Sequence, residues 1–285
     1  MPWEHMIIQT DGATIHTECG PMALDIKAFD AGGPRTDMGR QAALQAVSCL
    51  EGIAGVWSRL RRPAEDVDFV PEDSLAVRMI DSVLRIGDGD LTPMAAVAGT
   101  IADAVADWLV EQGMQRVIVD NGGDLAVRLT PGESVGVGVR TDIRSPAIAH
   151  RIRLDDRHPS WGVTTSGLGG RSFTRGIASA VTVVAQKASI ADAAATAIAN
   201  ACWVADAAIR QVPAGTLDPG TDIPDVPVTV AVGRLSAKSV ERAVARAAAR
   251  AEGLSGKGLI VGAMVVSGEV AALTGGWEHL MAGLD

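Results

Sequence analysis

Residues Trp161–Asn200 read WGVTTSGLGGRSFTRGIASAVTVVAQKASIADAAATAIAN. A hydroxyl- and glycine-rich loop comes first, with Thr164, Thr165, Ser166, Gly167, Gly169 and Gly170. The apolar, β-branched run Ala180–Ala185 follows and has strand character. Ala191 and Asp192 then open an alanine-rich helix. On that helix Asp192 and Thr196 stand four apart, so their side chains share one face, a turn apart. A carboxylate and a hydroxyl so placed suit a hard cation such as Mg²⁺, which takes oxygen ligands and keeps waters for phosphates. The same pair also fits a commoner arrangement, in which Asp192 caps the helix and Thr196 packs.

The bulk of the chain sets the frame for that stretch. Its 285 residues can hold one large domain or two smaller ones. With 47% hydrophobic and 21% charged residues the chain has enough apolar surface to build a core. There is no Tyr, and there are three Phe and six Trp, so that core must rest on Val, Ile, Leu and Ala. A net charge of −9 argues against nucleic acid, whose phosphates call for a basic footprint. It leaves room for a small anionic ligand, because glycine loops and helix N-termini bind phosphate through backbone N–H groups. The N-terminal residues MPWEHMIIQTDG lack a basic segment followed by an apolar core, and no uninterrupted apolar run reaches membrane-spanning length. Cys19, Cys49 and Cys202 are scattered, without CxxC spacing, as reduced structural thiols would be. These features predict a cytoplasmic protein with no membrane partner, and they leave open whether it forms a homo-oligomer.

Outward from the opening stretch, residues 6–28 read as two or three strands broken at Cys19-Gly20-Pro21, the last of them Met22–Phe29. A helix over Thr36–Leu60 carries the stripe Leu44, Val47, Leu50, Ile53, Ala54 and Trp57, and Pro63 stops it. Residues 63–73 are a polar connection, a short helix covers roughly 72–85, and Gly87–Asp90 is a turn. Thr92 is the expected N-cap of a buried helix over about 93–112, with Pro93 in its first turn. Gly99 costs that helix on the order of 1 kcal/mol against Ala, which suggests a close approach by a backbone or a ligand. Asp103 and Asp107, four apart, mark its wet face or a pair of metal ligands. Asp120-Asn121-Gly122-Gly123-Asp124 then joins two strands. Asn121-Gly122 is a hairpin dipeptide, but the second glycine and the two flanking carboxylates exceed what a plain turn needs. Val135–Arg140 and Ile148–Leu154 are further antiparallel strands. A helix over about 190–210, a Pro/Gly/Asp-rich linker over Val212–Pro227, a strand at Val228–Val232, a helix at Ser236–Glu252 and strands at Leu259–Val266 and Val270–Thr274 complete the chain.

In order, PMAAVAG, DNGGD, TSG and ADAAATAIAN make the segment Pro93–Asn200 resemble the cytoplasmic UPF0280 branch of the ApbE-like superfamily, whose better-known members move FMN from FAD onto a protein threonine. The resemblance implies a T-fold-like α+β architecture, with antiparallel sheets carrying long packed helices and room for duplicated halves. It implies one domain over 1–285, with sub-lobes 1–90 and 91–285 as an option. It further implies Mg²⁺ held by Asp192 and Thr196 together with a backbone carbonyl at Ala96 or Val97. Asp103 matches an acidic position of the flavin-binding helix; Gly122, Gly123 and Asp124, next to Asn121, match a GGD loop. Thr165, Ser166 and Gly167 match a TSG loop. Two features depart from the transferases and one from the cytoplasmic branch. No His lies in Leu168–Ala180, where they carry His-x-x-Asp-Pro. Their AKG lysine falls at Ala98. Ser179 stands where the cytoplasmic branch would carry an acid.

The expected function is therefore a Mg²⁺-dependent, ApbE-like enzyme that binds FAD and cleaves it or transfers its FMN, with no catalytic residue singled out. Its partner would be a small-molecule nucleotide or flavin. Two alternatives stand beside it: a nucleotide-, flavin- or pterin-binding protein without turnover, and an enzyme of cofactor or sulfur metabolism using the same pocket. A serine hydrolase is disfavoured, because Ser166 lacks the GxSxG elbow and no His is placed to serve it.

Overall fold

Met22–Phe29 alternates loosely between buried and more exposed positions, whereas the central strand Ala180–Ala185 is buried throughout, and both belong to one broad sheet. The computed structural model describes residues 3–67 and 74–281. Strands β1 (His5–Gln9), β2 (Thr14–Cys19) and β3 (Met22–Asp30) form a meander, and the two-residue β4 (Gly33–Pro34) folds back on β3. Helices α1 (Thr36–Val56), α2 (Ser74–Ile86) and α3 (Val97–Glu111) follow, then the hairpin β5 (Arg116–Asn121) and β6 (Asp124–Leu129). Next come β7 (Ser134–Val139), β8 (His150–Asp155), β9 (Ser160–Ser166), β10 (Ala180–Ala185) and α4 (Ala188–Ala201). The chain continues with β11 (Ile209–Pro213), β12 (Pro227–Val232), α5 (Ala237–Gly256), β13 (Gly262–Ser267), β14 (Val270–Gly275) and α6 (Trp277–Met281). The main sheet runs β1-β2-β3-β5-β6-β9-β10-β13-β14, antiparallel throughout, while β7-β8 and β11-β12 are separate two-stranded ribbons.

Because side chains alternate across a strand, each central strand feeds two cores. On β10, Val181 and Val183 turn toward the helices, and Val184 turns to the opposite face. On β6, Ala126 faces the helices, whereas Val127 and Leu129 face away. The larger core lies under α1, α3, α4 and α5 and is built mainly of Ala, Val, Ile and Leu, as the composition demands. The smaller lies under β7-β8 and α6 and buries Trp161 and Trp277 completely. All three cysteines are buried and free.

Small residues let α3 and α4 sit hard against each other and against β9. A Cβ on Gly99 would stand 2.3 Å from the Ala188 carbonyl oxygen, and one on Gly162 would stand 2.3 Å from the Ala188 nitrogen. The first turn of α4 is thus wedged between two glycines. The close approach expected at Gly99 is a neighbouring backbone.

Several expectations are corrected. Thr164, Thr165 and Ser166 belong to β9 rather than to a loop, because β10 and β6 pair with that strand on both sides. Helix α4 begins at Ala188 and ends at Ala201, so Asp192 is an interior residue and not its cap. The segment after it turns into the β11-β12 ribbon instead of extending the helix to 210. Thr92 makes no side-chain cap: its hydroxyl donates to Asp222, and a 3-10 turn over Pro93–Ala96 precedes α3. Leu44, placed on the core stripe of α1, is 54% exposed, since the close-packed face of that helix is made of Ala42, Ala43, Ala46 and Ile53. Part of the 63–73 connection, and the first residues of the helix expected from 72, lie outside the described residues. The segment Pro93–Glu111 has the length and apolar composition of a membrane span; here it packs between the sheet, α1 and α4.

Candidate functional site

The first turn of α3, one stripe of α4 and the β5-β6 turn converge on a cleft of about 260 Å³ on the helical face of the sheet. Helix α4 reaches it by one stripe. Between Ala188 and Asn200 every residue is buried except Asp192, Thr196 and Asn200, each four apart, and these are only half-buried. Asp192 and Thr196 line the inner cleft; all three line an outer chamber of about 370 Å³ that continues from it.

Two carboxylates exchange places between the helices. Asp192 of α4 accepts the N–H of Gly99, at the start of α3, at 2.9 Å. Asp103 of α3 accepts the N–H groups of Ala188 and Ser189, at the start of α4, at 3.1 and 3.0 Å. Neither helix carries a side-chain cap at its own N-cap residue, Ala96 or Lys187, so each satisfies the other's orphan donors.

The β5-β6 turn closes locally. Asp120 accepts the Gly123 N–H at 2.7 Å, and Gly122 and Gly123 take φ of 66° and 108°, the left-handed region that favours glycine. Asn121 donates to the Ala98 carbonyl at 3.2 Å and so ties the turn to the start of α3. Asp124, first residue of β6, sits opposite Thr164 of β9 and faces the helices. Burial pushes its carboxyl up to about 7, with the Asp120 charge adding and Arg171 pulling back. Burial also holds Asp192 well above the ordinary carboxylate range; the charge of Asp124 adds to this, and the Gly99 and Ala98 amides act against it. Thr164 leans on Asp124 and draws its carboxyl down, yet its hydroxyl is buried without a partner in hydrogen-bond geometry. Thr165 points the other way and shares a 2.9 Å hydrogen bond with Thr182.

Two carboxylates and two hydroxyls at one end of a cleft, one of the hydroxyls orphaned, form an all-oxygen donor set. Such a set suits Mg²⁺ rather than a softer metal. Among the described residues no three His, Cys, Asp or Glu side chains cluster closely enough to make a metal cage, so further ligands would come from hydroxyls, carbonyls and water.

Of the residues expected from sequence, Val97, Asn121, Gly122, Asp124, Thr165, Ser166, Gly167, Asp192 and Thr196 all line the inner cleft. The others do not. Asp103 is fully buried behind it, bound to Arg128 at 2.7 Å and to the α4 amides; it is neither on a wet face nor in contact with the cleft. Gly123 lines a groove on the opposite face of the sheet, and Ala96 is buried in the core. Sequence reasoning missed Thr164, Arg171 and Asn200. Thr164 had the signal of strand alternation beside Thr165, and Asn200 that of the same helical stripe as Asp192 and Thr196. Arg171 carried no local signal.

Known proteins share this architecture. The family described as AbpE bacteria matches residues 6–277. A UPF0280 protein of Methanococcus aeolicus is 42% identical over 109 residues, 38% of this chain and 44% of that protein. One from Methanopyrus kandleri is 45% identical over 108 residues (38% and 42%), and one from Methanococcus maripaludis 33% over 145 residues (50% and 59%). The chain thus spans about half the length of the curated relatives it matches. Among solved structures, the ApbE protein of Thermotoga maritima superposes with a TM-score of 0.51 at 12% identity, over 98% of this chain and 99% of that one. The flavinyl transferase ApbE of Pseudomonas stutzeri superposes with a TM-score of 0.49 at 15% identity, over 99% and 97%. The Thermotoga likeness is one of fold, in keeping with the mixed helical and antiparallel architecture. Matched over nearly its whole length, the chain belongs to the ApbE-like family described as AbpE bacteria, to which its UPF0280 relatives point as well.

Proposed function

We propose that this chain is a Mg²⁺-dependent enzyme of flavin nucleotides that binds FAD and either cleaves its pyrophosphate or transfers its FMN. One observation carries the reading: residues from α3, the β5-β6 turn, β9 and α4, far apart in sequence, line a single cleft with an all-oxygen donor set. Membership of the ApbE-like family agrees with it.

Asp192 and Thr196 would hold the cation, with the Val97 segment beside them and Asp124 facing them. When bound, Mg²⁺ neutralises charge on phosphate oxygens. The chain's own residues do the rest. Gly122, over which the flexible Arg171 side chain lies, lets a phosphate approach the turn backbone once that side chain swings aside. Asn121 fixes the turn against α3, and Asp103 holds the first turn of α4, and with it the Asp192 stripe, in place. The outer chamber, lined by Trp57, Met94, Phe173 and Asn200, offers apolar surface to the remainder of the ligand. We treat residues 1–285 as one domain, supported by a sheet that runs unbroken from β1 to β14.

The test is incubation with FAD and MgCl₂ and separation of the products. FMN and AMP appearing together mark cleavage; AMP with FMN retained on protein marks transfer. No turnover and no FAD binding would sink the proposal. A second reading, binding without turnover, is favoured by an inner cleft that, among the described residues, is lined by no His, Lys or Cys for acid–base or nucleophilic work. FAD bound tightly without product, and insensitive to Asp192→Ala, would select it.

A further inference from the structure

Among the described residues the inner cleft is lined by two carboxylates, Asp124 and Asp192, and by one cation, Arg171. Arg171 lies in the link between β9 and β10 and reaches across the mouth of the cleft. Its side chain donates to the Pro21 carbonyl in the β2-β3 turn. Its guanidinium also rests on Gly122, where a Cβ would stand 2.4 Å from one nitrogen. The residue borders the inner cleft, the outer chamber and the groove on the opposite face.

Its engagement differs from that of its neighbours. Arg144 and Arg175 are each held by a carboxylate, Asp142 and Asp90, and Arg128 by Asp103 and Asp107. Arg171 has none within ion-pair distance among the described residues, and its hydrogen bond goes to a neutral carbonyl. A guanidinium presents five donors in a planar fork that matches phosphate bidentately. Here one donor goes to the Pro21 carbonyl, and the residue lines the inner cleft.

Charge makes the case sharper. A diphosphate entering this cleft meets Asp124 and Asp192 in a protein of net charge −9. A divalent ion at the Asp192 and Thr196 end offsets charge on one side only, and at the Gly122 end Arg171 is the cation that lines the inner cleft among the described residues.

We propose that Arg171 is a phosphate-binding, specificity-determining residue of the cleft. It exchanges the Pro21 carbonyl for a phosphate of the ligand, so that the site selects phosphorylated flavins over riboflavin. The inference rests on the flavin-nucleotide reading above.

Titration of wild type, Arg171→Gln and Arg171→Lys with FAD, FMN and riboflavin, each in MgCl₂ and followed by flavin fluorescence, tests it. Arg171→Gln should weaken FAD and FMN by about tenfold or more, the loss of one charge-assisted contact, and leave riboflavin within about twofold. Arg171→Lys, keeping the charge but not the fork, should fall between. An unchanged melting temperature of the free variant shows that the fold survives; if Arg171→Gln melts early, Arg171→Lys carries the comparison. Arg171→Gln binding FAD as tightly as wild type, or losing riboflavin in the same proportion, overturns the assignment. The two failures are separable: wild type that binds none of the three ligands overturns the flavin reading itself and the role of Arg171 with it.

Discussion

Asp192 accepts the backbone N–H of Gly99 at 2.9 Å, across 93 residues of chain. Asp103 returns the contact to the start of α4 behind the cleft, so the two helices cap each other. The start of α3 lines the cleft, and its positive end is partly offset by the Asp192 carboxylate.

This relationship separates structure from binding at Asp192. Asp192→Asn keeps an acceptor for Gly99 and removes a buried charge. Without metal it should melt no lower than wild type, while Mg²⁺-dependent FAD binding falls at least about tenfold. Asp192→Ala orphans the Gly99 amide and should be less stable than the Asn variant by about 1–3 kcal/mol in urea titration. An Asp192→Asn protein whose FAD affinity still rises with Mg²⁺ would rule Asp192 out as a ligand.

Gly99→Ala and Gly162→Ala each drive a methyl into the Ala188 backbone at 2.3 Å. Each should cost about 1–3 kcal/mol or more, because the obstacle is main chain and cannot swing away. The turn is wedged between them and cannot retreat from one methyl without meeting the other, so the double variant should lose more than the sum of the singles. Strict additivity in chemical denaturation would show that the two contacts relax independently.

Arg128→Met should be among the most damaging single changes. It leaves Asp103 buried with its amide partners but no cation, at a cost of about 3–5 kcal/mol. Adding Asp103→Asn should recover part of that loss, and equilibrium unfolding of the three variants measures it. No recovery would mean that Arg128 acts through packing alone.

His16, in the groove on the opposite face of the sheet, provides a pH signature outside the inner cleft. The Asp25 carboxylate, at 2.8 Å, raises its pKa above the ordinary 6.5; burial opposes this and Glu18 adds to it. A pKa raised in the folded state gives stability that is complete below pH 6.5 and fades as pH climbs through the folded value. His16→Gln should therefore lose up to about 1 kcal/mol relative to wild type at pH 5.5, the pair being partly solvent-screened, and nothing at pH 9. A penalty equal at both pH values would refute the ion pair.

Local patterns carried much of this molecule. Alternation located β3, an apolar β-branched run located β10, the Asn121-Gly122 dipeptide located the β5-β6 hairpin, and Gly99 announced a close contact before its partner was known. The Asp192–Thr196 spacing placed both side chains on one helix face, and the tertiary structure turned that face to the cleft. Where local reading failed, a distant group had taken over a local role. Thr92 looked like a cap, but its hydroxyl is engaged by Asp222 and the Gly99 amide of α3 by Asp192. Asp103 looked solvated because it stood in a polar i,i+4 pair, and Arg128 on β6 made its burial tolerable.

The sequence by itself determined the α+β character, the strand and helix alternation, the oxygen-rich chemistry of the motifs and their order along the chain. These follow from periodicity and side-chain type, which are local properties. Only the tertiary structure decided that α3 and α4 meet at their N-termini, that Asp103 is a structural cap while Asp192 opens into the cleft, and that Arg171 arches over Gly122. Two carboxylates on two alanine-rich helices are alike in sequence. Which is buried behind the site and which opens into it depends on how closely the glycines let the backbones approach, and that is a property of the packed molecule alone.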